Sequence, residues 1–410
     1  MANDQLTRPS LRKLGFRRAS YIRYRMTPWW LRVVAIWLVS RVVTTSILLW
    51  FADRQPENPW TGAKPDYFQF AQLWDSTWYH IVAAVGYPAQ LPTNELGQVT
   101  ENSWAFMPGY PLLVRTLMIV TGLPWSPVSV IVSFGFSLAA ALMCYRMFRL
   151  VLEASSSLFA VALVCFAPLS PILQVSYAES MYLFLLALAL YLLMRRKYLV
   201  LIPVIAVMAL TRPSGLAFAL ALGIHFILRF VRRRTEPFPL WEKILVAGVT
   251  VFSGLMGLAW PFLAWVYTGS ISAYTDTELA WRAPYLGHRE LVPFTPWFQG
   301  AGFWIPGPLG IVIVVAVILA FFAVLVLPAT RQLGSTLRIW VASYGIYLLA
   351  VFFPQSSTFR LLIPMFPLAG ALARPKSIWY RVAILVVFIV GQWVWCYFCW
   401  WYDGYDWTPP

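Results

Sequence analysis

The chain has 410 residues, of which 60% are hydrophobic and only 11% charged. Soluble globular proteins carry roughly a quarter charged residues, so this composition excludes a soluble domain and reads as a polytopic membrane protein. The net charge of +15 does not point to nucleic acid, because the bases flank apolar runs as the positive-inside rule describes.

Residues 1–32 form a basic tail that holds Arg8, Arg12, Lys13, Arg17, Arg18, Arg23, Arg25 and Arg32. The tail lacks the small-residue cleavage site of a signal peptide, so it reads as a retained cytosolic segment. Its interleaved Phe16, Tyr21, Tyr24, Trp29 and Trp30 suit contact with anionic lipid headgroups. A single transmembrane domain is expected over 33–402, followed by a short outer tail over 403–410. Apolar runs predict helices near 33–51, 125–148, 157–174, 179–194, 198–211, 214–231, 244–267, 308–328, 336–353, 361–373 and 378–400. With the N-terminus inside, about eleven spans put most of the Arg and Lys on the cytosolic side and most acids outside. The apolar segment Phe106 to Thr121 must then begin and end outside. It reads as an interfacial or re-entrant helix broken by Pro108 and Pro111.

Two outer loops are long, at about 52–124 and 268–307, and both are rich in Trp, Tyr and Pro. Long loops in a compact membrane protein tend to carry function. Cys144, Cys165, Cys396 and Cys399 all fall in apolar runs and read as small buried side chains, the CxxC at 396–399 included. There is no Walker A loop, dinucleotide fingerprint, HExxH or zinc spacing, so neither a nucleotide donor nor a metal is indicated.

Four constellations carry chemistry. In WDSTWYHIVAAVGYP (74–88), Trp74, Trp78 and Tyr79 frame Asp75 in an acid-rich stretch of the first outer loop. A carboxylate so placed at the bilayer surface suits a general base or a cation site; the plain alternative is a wet loop that tolerates acids. His80 is a second polar group there, and a lone His is more often structural. Glu179, in YAES, opens an apolar helix, as a dipole-matching acid or as a functional one. Arg212, in RPSG, is left at the outer edge by Pro213 and Gly215, to bind phosphate or to pair with Glu179. Arg360, in SSTFRLLIPMFP, offers a planar fork for phosphate oxygens, with snorkelling as the alternative.

WDSTWYHIVAAVGYP, SWAFMPGYPLLVR (103–115), YAES, RPSG and STFRLLIPMFP together resemble the PIG-V family, GPI mannosyltransferase II and its actinobacterial relatives, within the GT-C superfamily. FMPGYP departs from the bulkier FFPLYP type of that family, and Pro213 stands where its members tend to have a small or polar residue. The resemblance implies a GT-C fold of about eleven helices whose long first outer loop carries interfacial helices. It implies a mannosyltransferase of the plasma membrane with its site facing outside. The donor would be polyprenyl-phosphate-mannose and the acceptor a glycolipid or glycan. It places the catalytic acid at Asp75, with Trp74, Trp78, Tyr79, His80, Tyr110, Glu179, Arg212 and Arg360 on the substrates. Inversion would turn a β-linked donor into an α-mannoside. The rivals are a GT-C enzyme using another polyprenyl-linked sugar and a lipid or polysaccharide transporter. A transporter needs ionisable residues near the membrane midplane, where Arg41 is the main candidate.

The topology is open to direct measurement. A cysteine appended after Pro410 should react with an impermeant reagent in intact cells. Complete protection there would remove the eleven-span arrangement.

Overall fold

The computed structural model describes residues 26–403, so the basic segment 1–25 and the end of the outer tail, with Asp406, lie outside the described residues. Apart from one isolated bridge between Thr93 and Val99, the described secondary structure is helical. The principal helices are α1 (Trp29–Ala52), α2 (Asp75–Ala84), α3 (Gly109–Thr121), α4 (Trp125–Phe148), α5 (Ala154–Cys165), α6 (Glu179–Met194) and α7 (Tyr198–Ala209). They continue with α8 (Gly215–Val231), α9 (Leu240–Thr268), α10 (Ala273–Ala280), α11 (Pro296–Trp304), α12 (Pro308–Val326), α13 (Gly334–Val351) and α14 (Ile378–Trp395). Among the described residues, six segments are long and apolar enough to cross a membrane: Trp29–Ala52, Trp125–Phe148, Gly215–Arg234, Leu240–Thr268, Pro308–Val326 and Ile378–Trp400. The chain is an all-helical, polytopic membrane protein.

The first helix begins at Trp29, four residues ahead of the expected start, because Pro28 supplies a ready N-terminal boundary. The core is centred on α6, which is buried along almost its whole length and packs between α4 and α7. From there α7 contacts α9, α9 packs along α8, and α8 packs against α13. At 12 residues each, α5 and α7 are only about 18 Å long, well short of a roughly 30 Å hydrocarbon layer. Such short helices survive because protein rather than lipid surrounds them.

Two expected spans are broken. The run at 157–174 is helical only to Cys165, then passes Pro168 into a 3₁₀ turn, Ser170–Gln174. Arg41 of α1 pays for this break, donating to the carbonyls of Cys165 at 2.8 Å and Ser170 at 3.2 Å. Gln392 of α14 donates to the Phe166 carbonyl at 2.9 Å. Arg41 is therefore the cap of an interrupted helix. The run at 361–373 is likewise a 3₁₀ turn, Arg360–Met365, with Pro364 inside it, and a short helix, Leu368–Leu372, that starts after Pro367. At 106–121 the correction runs the other way. Pro108 and Pro111 do not break the helix, because they sit at its N-terminal cap and first turn, where a missing N–H costs nothing.

The four cysteines are buried, as expected from their apolar runs.

Two glycines explain motif letters that sequence leaves bare. A Cβ on Gly215 would lie 2.6 Å from the Gly257 backbone, so RPSG ends in glycine because α8 and α9 touch main chain to main chain. Gly109, in FMPGYP, donates its N–H to the Leu210 carbonyl at 2.8 Å. A Cβ there would lie 2.7 Å from Thr211 Oγ1.

Overpacking of this kind costs about 1–3 kcal/mol. Gly215→Ala should therefore lower the melting temperature in detergent, while Gly135→Ala, which opens onto empty space, should leave it within about a degree or raise it through helix propensity. Equal melting temperatures for the two variants would remove the close crossing.

Candidate functional site

Asp75 opens α2, where free N–H groups and the helix dipole favour a negative charge. The residue before it, Trp74, is held at φ 60° and ψ −126°, a region that bulky side chains rarely occupy. Its indole pins this conformation by donating to the Trp400 carbonyl at 3.0 Å, and its ring packs on Trp60 and Tyr402. The Asp75 N–H in turn donates to the Tyr177 hydroxyl at 3.0 Å. The first outer loop, the YAES turn and the C-terminal segment thus hold one carboxylate from three directions.

That carboxylate is paired with Arg360, and both side chains are buried. The Arg360 Nε lies 3.5 Å from Glu179 Oε1, and the same oxygen accepts from Arg212. The result is one buried chain of alternating charge, Asp75–Arg360–Glu179–Arg212, with the Arg360 guanidinium 5.6 Å above the Tyr177 ring. Of the two readings of Arg212, the structure shows the pairing. Arg360 does not snorkel. The chain sits at the end of the bundle opposite Arg195–Lys197 and Arg232–Arg234, as the courses of α6, α7, α8 and α13 require. Glu179 Oε2 and Arg360 Nε have no hydrogen-bond partner among the described residues.

The remaining expected residues divide. Trp78 stacks on Phe106 at 5.8 Å and meets Trp281 edge-on at 5.7 Å, so it joins the two outer loops. Tyr79 is fully buried among Phe106, Tyr110 and Tyr177. Tyr110 spends its hydroxyl on α4, donating to the Ser129 carbonyl at 2.9 Å beside Ser133 Oγ at 3.0 Å. His80 does not join the cluster. It is exposed and stacks on Trp125 at 5.1 Å, where partial burial lowers its pKa.

The second outer loop adds Glu278 and Arg282, which the sequence reading did not single out as a site. Helix α10 packs on the 3₁₀ turn Ser103–Ala105, and Asn102 donates to Thr277 at 2.9 Å. Glu278 follows Thr277 in α10, close enough to Asp75 and Arg212 for their charges to act on its carboxyl. Burial raises its carboxyl, Arg282, the Tyr274 hydroxyl and Arg212 pull it back down, and Asp75 pushes it up. Burial also raises Glu101, and the Asp75 charge adds to that. The available signal was spacing: Glu278 and Arg282 stand four apart in a charge-poor loop. Among the described residues, no group of three or more His, Cys, Asp or Glu side chains gathers as a metal site.

Fold and site thus define an all-helical membrane protein with a buried, alternating charge chain where its helices end. No family model matches the sequence. No curated protein matches it either. Among solved structures, the oligosaccharyltransferase of Archaeoglobus fulgidus, in its complex with zinc and sulfate, aligns at 16% identity and a TM-score of 0.49. That alignment covers 88% of this chain and 52% of the other. ArnT from Cupriavidus metallidurans, bound to undecaprenyl phosphate, aligns at 13% identity and a TM-score of 0.49, covering 85% of this chain and 62% of that one. The archaeal oligosaccharyltransferase AglB from Archaeoglobus fulgidus, with an inhibitory peptide and a dolichol-phosphate, aligns at 14% identity and 0.44, over 88% and 54%. This chain spans between half and two thirds of their lengths.

Removing one partner from a buried ion pair costs about 3–5 kcal/mol, because the other charge is left uncompensated. Glu179→Gln strands Arg212 and leaves Arg360 with Asp75 alone, so it should lower the melting temperature sharply. Adding Arg212→Gln to Glu179→Gln should recover part of that loss. A double variant no more stable than the single one would show that the two charges are not coupled.

Proposed function

We propose that this chain is a membrane-embedded GT-C glycosyltransferase. In this reading it takes mannose from polyprenyl-phosphate-mannose and transfers it to a lipid- or envelope-linked glycan at the outer face. One observation carries the proposal. The segments that resemble the PIG-V family are spread from Trp74 to Pro367, yet four of the five each supply one member of the buried charge chain Asp75–Arg360–Glu179–Arg212.

The chemistry follows from the charges. The acceptor hydroxyl attacks the anomeric carbon and must lose its proton, and the carbon–oxygen bond to the polyprenyl phosphate breaks with its electron pair leaving on the phosphate. Asp75 takes the proton. The departing phosphate needs a cation, and Arg360 meets its oxygens with a planar fork. In the resting structure these two groups neutralise each other. A donor phosphate arriving at Arg360 competes with Asp75 and releases the carboxylate to act as a base. The base is thus freed when there is a sugar to transfer. Attack from the side opposite the leaving phosphate inverts the anomeric carbon. Trp78 and Trp281 supply flat apolar faces for a sugar ring or an isoprenoid unit.

The test uses purified protein in liposomes with radiolabelled polyprenyl-phosphate-mannose and an extract of envelope glycolipids. Asp75→Asn should bind the donor yet transfer about 10²–10⁴-fold more slowly, the range expected for a lost general base. Arg360→Ala should weaken donor use, and Arg360→Lys should restore only part of it, because Lys lacks the bidentate fork. A folded Asp75→Asn protein that keeps turnover within about threefold of wild type, below the general-base range, would remove Asp75 from the mechanism.

A further inference from the structure

At the basic end of the bundle, far from the charge chain, a groove of about 620 Å³ opens between the first turns of α1, α5 and α14. Its inner wall is apolar: Ala35, Ile36, Leu158, Phe159 and Ala162. Its mouth is polar and cationic, framed by Arg32, Arg381, Ser155 and Thr27. Arg381 is braced rather than loose. It donates Nη1 to Ser155 Oγ at 3.1 Å and Nε to the Pro375 carbonyl at 3.0 Å, and its guanidinium lies 4.8 Å from the Phe159 ring centre. Its Nη2 is buried and has no hydrogen-bond partner among the described residues. Arg32 is anchored across the mouth by donation to the Thr27 carbonyl at 2.8 Å.

We propose that this groove binds one anionic phospholipid of the adjoining leaflet, with its phosphate between Arg32 and Arg381 and the start of one acyl chain along the apolar wall. Two halves of the observation select this ligand. The cationic mouth with an unused donor calls for an anion, and the apolar floor behind it calls for a chain attached to that anion. A free phosphate would leave the floor uncovered. A zwitterionic lipid would set its ammonium against two arginines. The chain's own N-terminal segment is the wrong occupant by charge, because residues 1–25 carry seven Arg and Lys against the single Asp4. The lipid would bridge α1 to α14, two helices that otherwise meet over a small contact.

Native mass spectrometry of the detergent-purified full chain tests this, with phosphatidylglycerol, phosphatidylcholine or inorganic phosphate added. Wild type should retain one phosphatidylglycerol per chain and little phosphatidylcholine, and millimolar inorganic phosphate should not displace the lipid. Each Arg→Gln change at Arg32 or Arg381 should weaken retention about fivefold, and both together about 25-fold. Ala35→Trp keeps both charges but fills the floor, so it too should weaken retention. It also covers the case in which an arginine variant fails to fold. Equal retention of the two lipids, displacement by inorganic phosphate, or wild-type retention in the arginine and tryptophan variants would overturn the proposal.

Discussion

A buried charge chain must balance, and the helix ends gathered around Asp75 serve that balance. Asp75, Arg360, Glu179 and Arg212 lie where water is scarce, and an unmatched ion there costs several kcal/mol. Each sits at a helix end or a break. Asp75 and Glu179 open α2 and α6, where the helix dipole welcomes anions, and Arg212 follows the C-terminus of α7, where it welcomes a cation. The interruptions that make these helices poor membrane spans are what make them good charge holders.

The scaffold behind the chain is held by neutral polar contacts rather than by more ions. Tyr110, Ser129, Ser133 and Ser176 form a hydroxyl seam between α3, α4 and the YAES turn. Aromatic rings carry the loops: Trp78 ties the first outer loop to the second, while Trp74 and Trp400 tie it to the C-terminal segment. This division separates the contacts that hold the scaffold from the charged groups gathered where its helices end.

Much of this was legible in the sequence, for definite reasons. Apolar runs located nearly all the helices, because burial in lipid or protein demands such runs whatever the tertiary detail. Asp75, Glu179, Arg212 and Arg360 stood out because charge is rare in this chain, and Arg212 also lies beside the helix breaker Pro213. What stayed hidden depended on three-dimensional proximity. Nothing near Asp75 in sequence announces Arg360, and the positive φ of Trp74 is imposed by Trp400 from the other end of the chain. The run at 157–174 reads in sequence as one helix, and only the structure shows its break, with Arg41 capping it. Glu278 was missed because its loop has no motif, and its relevance comes from α10 docking on the first loop.

Synthesis runs in one direction, and that sets a schedule for the pair at the centre. Asp75 and Arg360 are 285 residues apart. At about 5–20 residues per second, roughly 15–60 s separate the emergence of the acid from that of its partner. During that interval Asp75 lacks its Arg360 partner, whereas Glu179 waits only 33 residues for Arg212. A lone carboxylate cannot rest in hydrocarbon for so long, but it can rest in a water-exposed loop. The position of Asp75 in a loop beside the membrane, rather than within a span, therefore suits the nascent chain as much as the finished one, and the outer end of the bundle closes last.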